Sequence, residues 1–339
     1  MHEYRGVFHV HSTFSDGLAP VEKIMEEANY AQADFVVLTD HNTLRAKEEG
    51  LEGWHGRCLL LVGEEITPDT NADHYLALDI SKEISASASP SANVEAVKRQ
   101  GGIGFIAHPT GGAMIKAEFM EYPWTDWDAG PFDGIEIWNH TYDVTGRAKN
   151  VLQLIVFVLF PVFAHGGPVD SVLATWDYFA ASYRRHIAGI GGVDAHGIMS
   201  MYRDSFHTVS TYILTPEPFT GSLSHDSALV YSALRSGRCF VGADKVDDAS
   251  GFRCQVVGSD DNVIEMGGTI PAAEVGTLNV SSPRAGLIRL VHNGVAVVEQ
   301  YGKTLEAKLS RPGAYRVEVR HRVCRRYLPW IFGNHVFVV

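Results

Sequence analysis

Short apolar runs alternate with amphipathic stretches along the first 242 residues. The stretches between the runs carry apolar residues at helical spacing, as in residues 20–33 and 91–101. Apolar runs separated by helices predict a mainly parallel sheet covered by helices, and this element order favours a barrel or a doubly wound sheet. The predicted strands are residues 5–10, 33–40, 57–66, 74–80, 102–108, 132–138, 187–194 and 207–214.

Residues 250–339 show a different pattern, in which apolar and polar residues alternate with a period of two. This period is typical of strands with one buried face. The pair Asn293-Gly294 fits a tight hairpin turn, because both residue types tolerate positive φ angles. We therefore expect a first domain of residues 1–244 and, after a junction at 244–250, a small antiparallel β-sandwich.

The segment 151–164 is almost wholly apolar and is interrupted by Gln153 and Pro161. As a single helix it would span about 21 Å, short of the roughly 30 Å core of a bilayer. We therefore expect no transmembrane segment. We interpret the segment as a buried helix or lid within an insertion at about 111–183, with a homodimer contact or membrane association as alternatives.

Acidic residues and histidines are concentrated before Lys245. This part carries 16 Lys and Arg against 31 Asp and Glu, and 13 of the 16 histidines, whereas the remainder carries 12 basic against 9 acidic residues. A strongly acidic region is a poor partner for a nucleic-acid backbone but suits divalent cations. The four scattered cysteines form no CxxC pair, which indicates reduced thiols in a cytoplasmic protein.

Polar side chains lie at the ends of the predicted strands. In parallel α/β folds the carboxyl ends of the strands meet at one edge, where active sites form. His9 and His11 would project from the same side of a strand, and imidazoles and carboxylates are ligands of first-row divalent ions. Only one of two neighbouring glutamates can face the centre. The residues at or beside these ends are His9, His11, Asp40, His41, Glu64, Glu65, His108, Asn139, His140, Asp194 and His196. Asp16 lies in a turn that would bring its carboxylate back over the first strand end, and His74 opens a strand.

Each of these residues has a structural alternative. His9 and His11 also fit a solvated strand end, and Asp40 and His41 also fit a mutual hydrogen bond. Their repetition along one edge of one predicted sheet favours a multinuclear metal site.

The ordered motifs HVHSTFSDG, TDHN, GEEIT with a downstream histidine, AHP, IEIWN and GVDAHG resemble those of the PHP (polymerase and histidinol phosphatase) superfamily of metal-dependent phosphoesterases. The resemblance covers about residues 5–242. It implies a distorted (β/α)7 barrel with two or three divalent ions, such as zinc, manganese or iron. The tail RRYLPWIFGNHVFVV at 325–339 resembles the end of the β-sandwich attached to some stand-alone members, with GNH in place of SNP.

The resemblance also implies ligand sets. His9, His11 and Asp194 would bind one ion, and Glu65 would bridge it to a second ion that also takes His74 and His108. Asp16, His41 and His196 would hold a third ion. The family pattern selects Glu65 rather than Glu64.

The expected reaction is hydrolysis of a phosphoester in a small phosphorylated metabolite or nucleotide. Closely spaced ions lower the pKa of a bridging water, giving hydroxide near neutral pH, and they neutralise charge during displacement. Nucleic acids other than short oligonucleotides are not expected as partners. The candidate catalytic residues are Asp194, His196, His140 as a leaving-group acid, and Arg147 and Arg203 as phosphate-binding residues; His140 also fits a structural role, and the arginines also fit surface cations.

Two other classes of protein remain open. The arginines of the predicted β-sandwich (Arg316, Arg320, Arg322, Arg325 and Arg326) fit either a nucleic-acid or carbohydrate surface or a solvated strand face. An amidohydrolase that cleaves C–N bonds would also carry an HxH motif. That family usually has a metal-bridging carbamylated lysine, and the predicted strand ends carry no lysine.

Overall fold

A computed structural model describes residues 1–110, 122–148, 150–159, 165–183, 186–197, 201–259 and 261–339. Its helices are α1 (Val21–Tyr30), α2 (Arg45–Glu48), α3 (Pro90–Arg99), α4 (His140–Arg147), α5 (Val151–Leu159), α6 (Asp170–Tyr183), α7 (Tyr202–Ser205) and α8 (Leu223–Arg235). The strands up to residue 242 are β1 (His2–Val10), β2 (Phe35–His41), β3 (Gly53–His55), β4 (Cys58–Ile66), β5 (Tyr75–Leu78), β6 (Ile103–Ile106), β7 (Gly134–Asn139), β8 (Ala188–Gly192), β9 (Ser210–Thr215) and β10 (Cys239–Gly242). The later strands are β11 (Arg253–Val257), β12 (Val263–Glu265), β13 (Thr269–Ile270), β14 (Thr277–His292), β15 (Val295–Lys308), β16 (Gly313–Val323), β17 (Arg326–Gly333) and β18 (Val336–Val338).

The chain forms a mixed α/β structure around a large sheet, and each of the eight predicted apolar runs contains a strand. Strand β4 is buried along its whole length, as expected for a run that is apolar on both faces. Helix α1 buries Ile24, Met25 and Ala28 and exposes its charged face. Burial of these apolar faces is what holds the helix against the sheet.

Strand β5 departs from the expected parallel arrangement. β1, β2 and β4 are parallel neighbours, as are β6, β7 and β8, but β5 is antiparallel to both β4 and β6. The connection from Ile66 to Tyr75 is too short for a helical crossover, which needs a dozen or more residues. Because of this reversal, His74 at the start of β5 lies at the same edge as the ends of β1, β2 and β4.

The chain after β8 returns to β1. The amide of Val193 donates to the carbonyl of Phe8 at 2.9 Å, and the amide of His11 donates to the carbonyl of Ala195 at 3.0 Å. The pairings therefore run from β8 through β7, β6, β5, β4 and β2 to β1, and the segment that follows β8 forms hydrogen bonds with β1. This arrangement turns the ends of these strands toward a common centre.

The strands after residue 250 continue the same sheet. β9 is antiparallel to both β1 and β10, and β10 pairs with β17. β14 is antiparallel to both β15 and β16, and β16 is antiparallel to β17. The predicted hairpin turn joins β14 to β15, with Asn293 and Gly294 both at positive φ. The division into two domains stays a prediction, because the two parts of the chain share a sheet.

Two buried polar contacts join the C-terminal strands to the first part of the chain. Asn334 accepts a hydrogen bond from the amide of Gly189 (2.7 Å) and donates to the carbonyls of Gly189 and Cys239 (2.9 Å each). The guanidinium of Arg316 forms two hydrogen bonds with the carboxylate of Asp177 in α6, at 2.6 and 2.8 Å. Arg316 is therefore a buried structural residue and is not available to a nucleic acid or carbohydrate.

The described part of the apolar segment is the helix α5. Its Leu152 and Ile155 are exposed, whereas Phe157 is buried, so the helix is not the fully buried one that we expected. Residues 160–164 of the segment lie outside the described residues. Among the helices that the structure describes, none is both long enough and apolar enough to span a bilayer.

Candidate metal centre

The nine residues that the sequence predicts as ligands converge at one edge of the sheet. We refer to His9, His11 and Asp194 as the first group, to Glu65, His74 and His108 as the second group, and to Asp16, His41 and His196 as the third group. Three sets of these residues have ligand atoms that lie within 4.8 Å of one another. They are the first group, the set of His9, Glu65 and His108, and the third group together with His11. His74 joins the second group through Nδ1, 2.9 Å from Oε1 of Glu65.

Glu65 lies at the middle of the cluster. Its Oε2 is 3.2 Å from Nε2 of His9 and 3.2 Å from Nδ1 of His41, and its Oε1 is 3.1 Å from Nε2 of His108. Burial disfavours the charged carboxylate, but His9, His41 and His74 outweigh it and hold the pKa of Glu65 well below its ordinary value. The carboxylate is thus an anionic bridge between histidines of all three groups.

Glu64 points the other way. It accepts a hydrogen bond from the amide of Ile84 at 2.8 Å, and burial raises its pKa to about 8. Alternation along β4 therefore directs one glutamate into the cluster and one away from it.

The backbone at three of the candidate ligands is unusual. His9, His108 and Asp194 have φ angles of 64°, 25° and 53°, and the register of β1 against β2 shifts between Phe8 and Val10. We expected simple alternation along a strand to bring His9 and His11 together. The positive φ of His9 and the register shift show that alternation alone does not explain their position. Non-glycine residues at positive φ cost of order 1–3 kcal/mol each and cluster at functional sites.

The loop that carries Asp16 is held by Asp40. This buried carboxylate accepts hydrogen bonds from the amide and the hydroxyl of Ser12 (2.7 Å each) and from the hydroxyl of Ser15 (2.6 Å). Asp40 is thus occupied by the loop and not by its neighbour His41, the alternative considered from the sequence. The loop places Asp16, whose side chain is 57% exposed, 3.3 Å from Nε2 of His196.

The donor set fits divalent cations. Buried ring nitrogens normally have a hydrogen-bond partner. Here Nε2 of His9, both ring nitrogens of His11 and Nε2 of His74 are buried and form no hydrogen bond of acceptable geometry among the described residues, although Oε2 of Glu65 lies 3.2 Å from Nε2 of His9. Imidazole nitrogens and carboxylate oxygens together suit zinc, manganese or iron.

Three predicted catalytic residues form their contacts elsewhere. Arg147 donates to Asp143 at 2.6 Å, and Arg203 donates to Glu27 at 2.8 Å and lies over the ring of Tyr30. His140 accepts a hydrogen bond from Lys245 at 3.2 Å. Among the described residues, the hydrogen bonds and ion pairs of these three do not reach the nine candidate ligands.

Sequence reasoning missed other residues at the centre. The ring of Tyr142 stacks on His108 with 4.3 Å between ring centroids, and the ring of Tyr122 stacks on His74 at 5.2 Å. Glu136 contacts His9 from within β7. The sequence could have indicated Glu136, because it places a carboxylate inside the apolar run IEIW and a buried charge needs a partner.

The fold and the site thus define a mixed α/β protein with a candidate multinuclear metal centre. No protein-family model matches the chain. The chain is 29% identical to an uncharacterised protein of Methanocaldococcus jannaschii over 104 residues, 28% of this chain and 56% of the archaeal protein. The chain thus matches only about half the length of this curated relative.

Among solved structures, a two-domain protein from Bacteroides vulgatus containing a predicted PHP-like metal-dependent phosphoesterase matches 98% of this chain and 95% of its own, at 16% identity and a TM-score of 0.47. A predicted metal-dependent phosphoesterase from Bifidobacterium adolescentis matches 57% of this chain and 87% of its own, at 16% identity and a TM-score of 0.33. An amidohydrolase from Chromobacterium violaceum, with bound sulfate and no metal, matches 56% of this chain and 87% of its own, at 14% identity and a TM-score of 0.32.

Proposed function

We propose that this chain is a metal-dependent phosphoesterase of the PHP type, whose strands β1 to β8 form a distorted (β/α)7 barrel. Its substrate is a small phosphorylated metabolite or nucleotide. The observation that supports this most strongly is the position of Glu65, whose two carboxylate oxygens each face histidines of different groups. A carboxylate in this position is suited to bridge two cations, and pairs of closely spaced cations are an arrangement used for phosphoester hydrolysis.

The three groups would hold two or three divalent ions, with Glu65 shared between the first and the second. Ions of this kind make a bound water a stronger nucleophile and neutralise the charge of a phosphoryl group. Asp16 is the most exposed of the nine ligands, so the third group faces the side from which a substrate arrives.

Tyr142 is the candidate donor to the substrate. Its ring is fixed against His108, and burial followed by the charges of Asp194 and Glu65 raises the pKa of its phenol. The phenol therefore stays protonated at neutral pH and its hydroxyl can donate a hydrogen bond to a phosphoryl oxygen or to the leaving group. In this proposal Tyr142 replaces His140, whose ring contacts Lys245.

The test combines metal analysis with a substrate screen. The purified chain, loaded with Mn²⁺ or Zn²⁺, is assayed against phosphomonoesters, phosphodiesters and N-acyl amides. We expect the metal-loaded chain to hydrolyse phosphoesters. In His9→Ala and Asp194→Ala we expect the loss of the bound ions and also of the hydrolytic activity. His225→Ala, a histidine of helix α8 that contacts Glu217 and Asp226, serves as the control and should retain both.

Two outcomes would refute the proposal. Amide hydrolysis without phosphoester hydrolysis would assign the centre to the amidohydrolase class. Full phosphoesterase activity in the two metal-ligand variants would show that the chemistry lies elsewhere.

A further inference from the structure

Glu136 is a buried carboxylate that serves two candidate ligands at once. Its Oε1 accepts a hydrogen bond from Nδ1 of His9 at 2.9 Å. Its Oε2 accepts from the backbone amide of His108 at 2.7 Å and from the side-chain amide of Asn139 at 2.9 Å. His9 belongs to the first group and His108 to the second, so one side chain spans both.

The contact with His9 decides which ring nitrogen is available. Because Nδ1 of His9 is bound to the carboxylate, Nε2 is the ring nitrogen that remains for a cation. That Nε2 lies 3.2 Å from Glu65 and 3.5 Å from Asp194, at the centre of the cluster. Carboxylates that hold a histidine in this way orient it toward a cation.

The contact with His108 acts on the backbone. His9 and His108 both have positive φ angles, which L-residues adopt only when their surroundings hold them. Glu136 binds the side chain of one and the amide of the other. It therefore stabilises an unfavourable conformation and directs the two rings toward Glu65.

The fold keeps space for this contact. Gly192 in the neighbouring strand β8 faces Glu136, and a Cβ atom there would lie 1.9 Å from its Oε1 and 2.9 Å from Cβ of His9. Any larger residue at this position would displace the carboxylate or the imidazole. Asn139 extends the contact to the first group, with Nδ2 3.4 Å from Oδ2 of Asp194.

We propose that Glu136 is a positioning residue that couples the first and second ion sites. This inference rests on the proposed metal centre. It adds that ion binding at the first and second groups depends on Glu136, whereas ion binding at the third group does not. In the described residues Glu136 forms no hydrogen bond or ion pair with Asp16, His41 or His196.

The test measures ion binding and does not depend on activity. Mn²⁺ or Zn²⁺ alone is titrated into metal-free wild-type, Glu136→Gln and Glu136→Asp chains against a competing chelator. We expect affinity to fall about 10- to 100-fold at two sites, as for other residues that orient metal ligands, with one site unchanged. Glu64→Gln is the matched control, because Glu64 is an equally buried glutamate that faces away from the cluster, and its ion affinities should not change.

The possible results separate this inference from the proposed function. If the wild-type chain binds no ion, the metal centre itself is refuted. If the wild type binds ions and both Glu136 variants bind them equally well, only the inference on Glu136 is refuted. A variant that unfolds more easily without metal but keeps wild-type affinities when folded would assign Glu136 a purely structural role and also overturn it. Glu136→Asp keeps the charge but is too short to reach both partners, so the test remains available if Glu136→Gln does not fold.

Discussion

Asn334 provides a sharp test of how strongly the C-terminal strands support the candidate site. Its side chain is 2% exposed and connects two strands that do not pair with each other, β8 through Gly189 and β10 through Cys239. Strand β8 leads directly to Asp194. In Asn334→Ala, the amide of Gly189 and the carbonyls of Gly189 and Cys239 each lose their hydrogen bond with this side chain.

The expected cost follows from these three hydrogen bonds. Each contributes about 0.5–1.5 kcal/mol net, and a buried backbone group left without a partner costs about 1–3 kcal/mol. We therefore expect Asn334→Ala to lower the free energy of unfolding by about 3–5 kcal/mol. This is a large share of the roughly 5–15 kcal/mol that stabilises a typical domain.

The measurement is urea unfolding of the metal-free chain, followed by circular dichroism. Asn279→Ala is the control, because Asn279 is a half-buried residue of β14 whose side chain has no hydrogen bond among the described residues, and it should change the free energy by about 0.5 kcal/mol at most. A loss below 1 kcal/mol in Asn334→Ala would refute the reasoning. It would mean that water or a shift of the backbone replaces the three hydrogen bonds without penalty.

Three further predictions concern the candidate site and its support. In Gly17→Ala the new Cβ would lie 2.3 Å from the carbonyl oxygen of His11, so the loop must move. We therefore expect ion binding at the third group, measured by titration, to be about 10-fold weaker. Unchanged ion binding would contradict this prediction. Arg203→Ala should change kcat/KM for a phosphoester less than threefold, because Arg203 is bound to Glu27; a loss above tenfold would restore it as a phosphate-binding residue. Burial opposes the charge of Asp177, but its hydrogen bonds with Arg316 prevail and lower its pKa to about 2 from 3.8. The ionised carboxylate therefore contributes about 2 kcal/mol that is present above pH 4 and lost as the pH falls toward 2. Asp177→Asn should lack this loss when unfolding is compared between pH 5 and pH 2, and an unchanged pH profile would refute the assignment.

The apolar runs predicted where the strands lie, because burial on both faces leaves a clear pattern in the sequence. They did not predict the direction of β5, since an apolar strand reads the same in a parallel and an antiparallel pairing. The connection from Ile66 to Tyr75 is too short for a helical crossover, and its length alone indicated an antiparallel pairing with β4. Positive φ at His9 was also beyond the sequence, because nothing in the pattern marks a bulge at a histidine.

The nine candidate ligands were predicted from polar residues near strand ends together with the resemblance to the PHP superfamily, and their role as ligands stays a prediction. The arginines were a different case. Arg203 follows Tyr202 in the chain, and the hydroxyl of Tyr202 donates to the carbonyl of His11 at 2.8 Å. Consecutive residues on a helix point in different directions, so Arg203 turns away toward Glu27. The closeness of Arg203 to the GVDAHG motif in the sequence therefore predicted where its backbone lies but not the direction of its side chain.

The pairing of β10 with β17 has a consequence for how the protein is made. All nine candidate ligands lie between His9 and His196, and β17 is synthesised much later. At about 5–20 residues per second, a ribosome adds β17 and Asn334 on the order of ten seconds after Asp194. During that interval the histidine-rich edge is present without the strand that completes its sheet. Ions that bind in this window would meet a nascent chain, and their capture would favour the native arrangement before the last strands are in place.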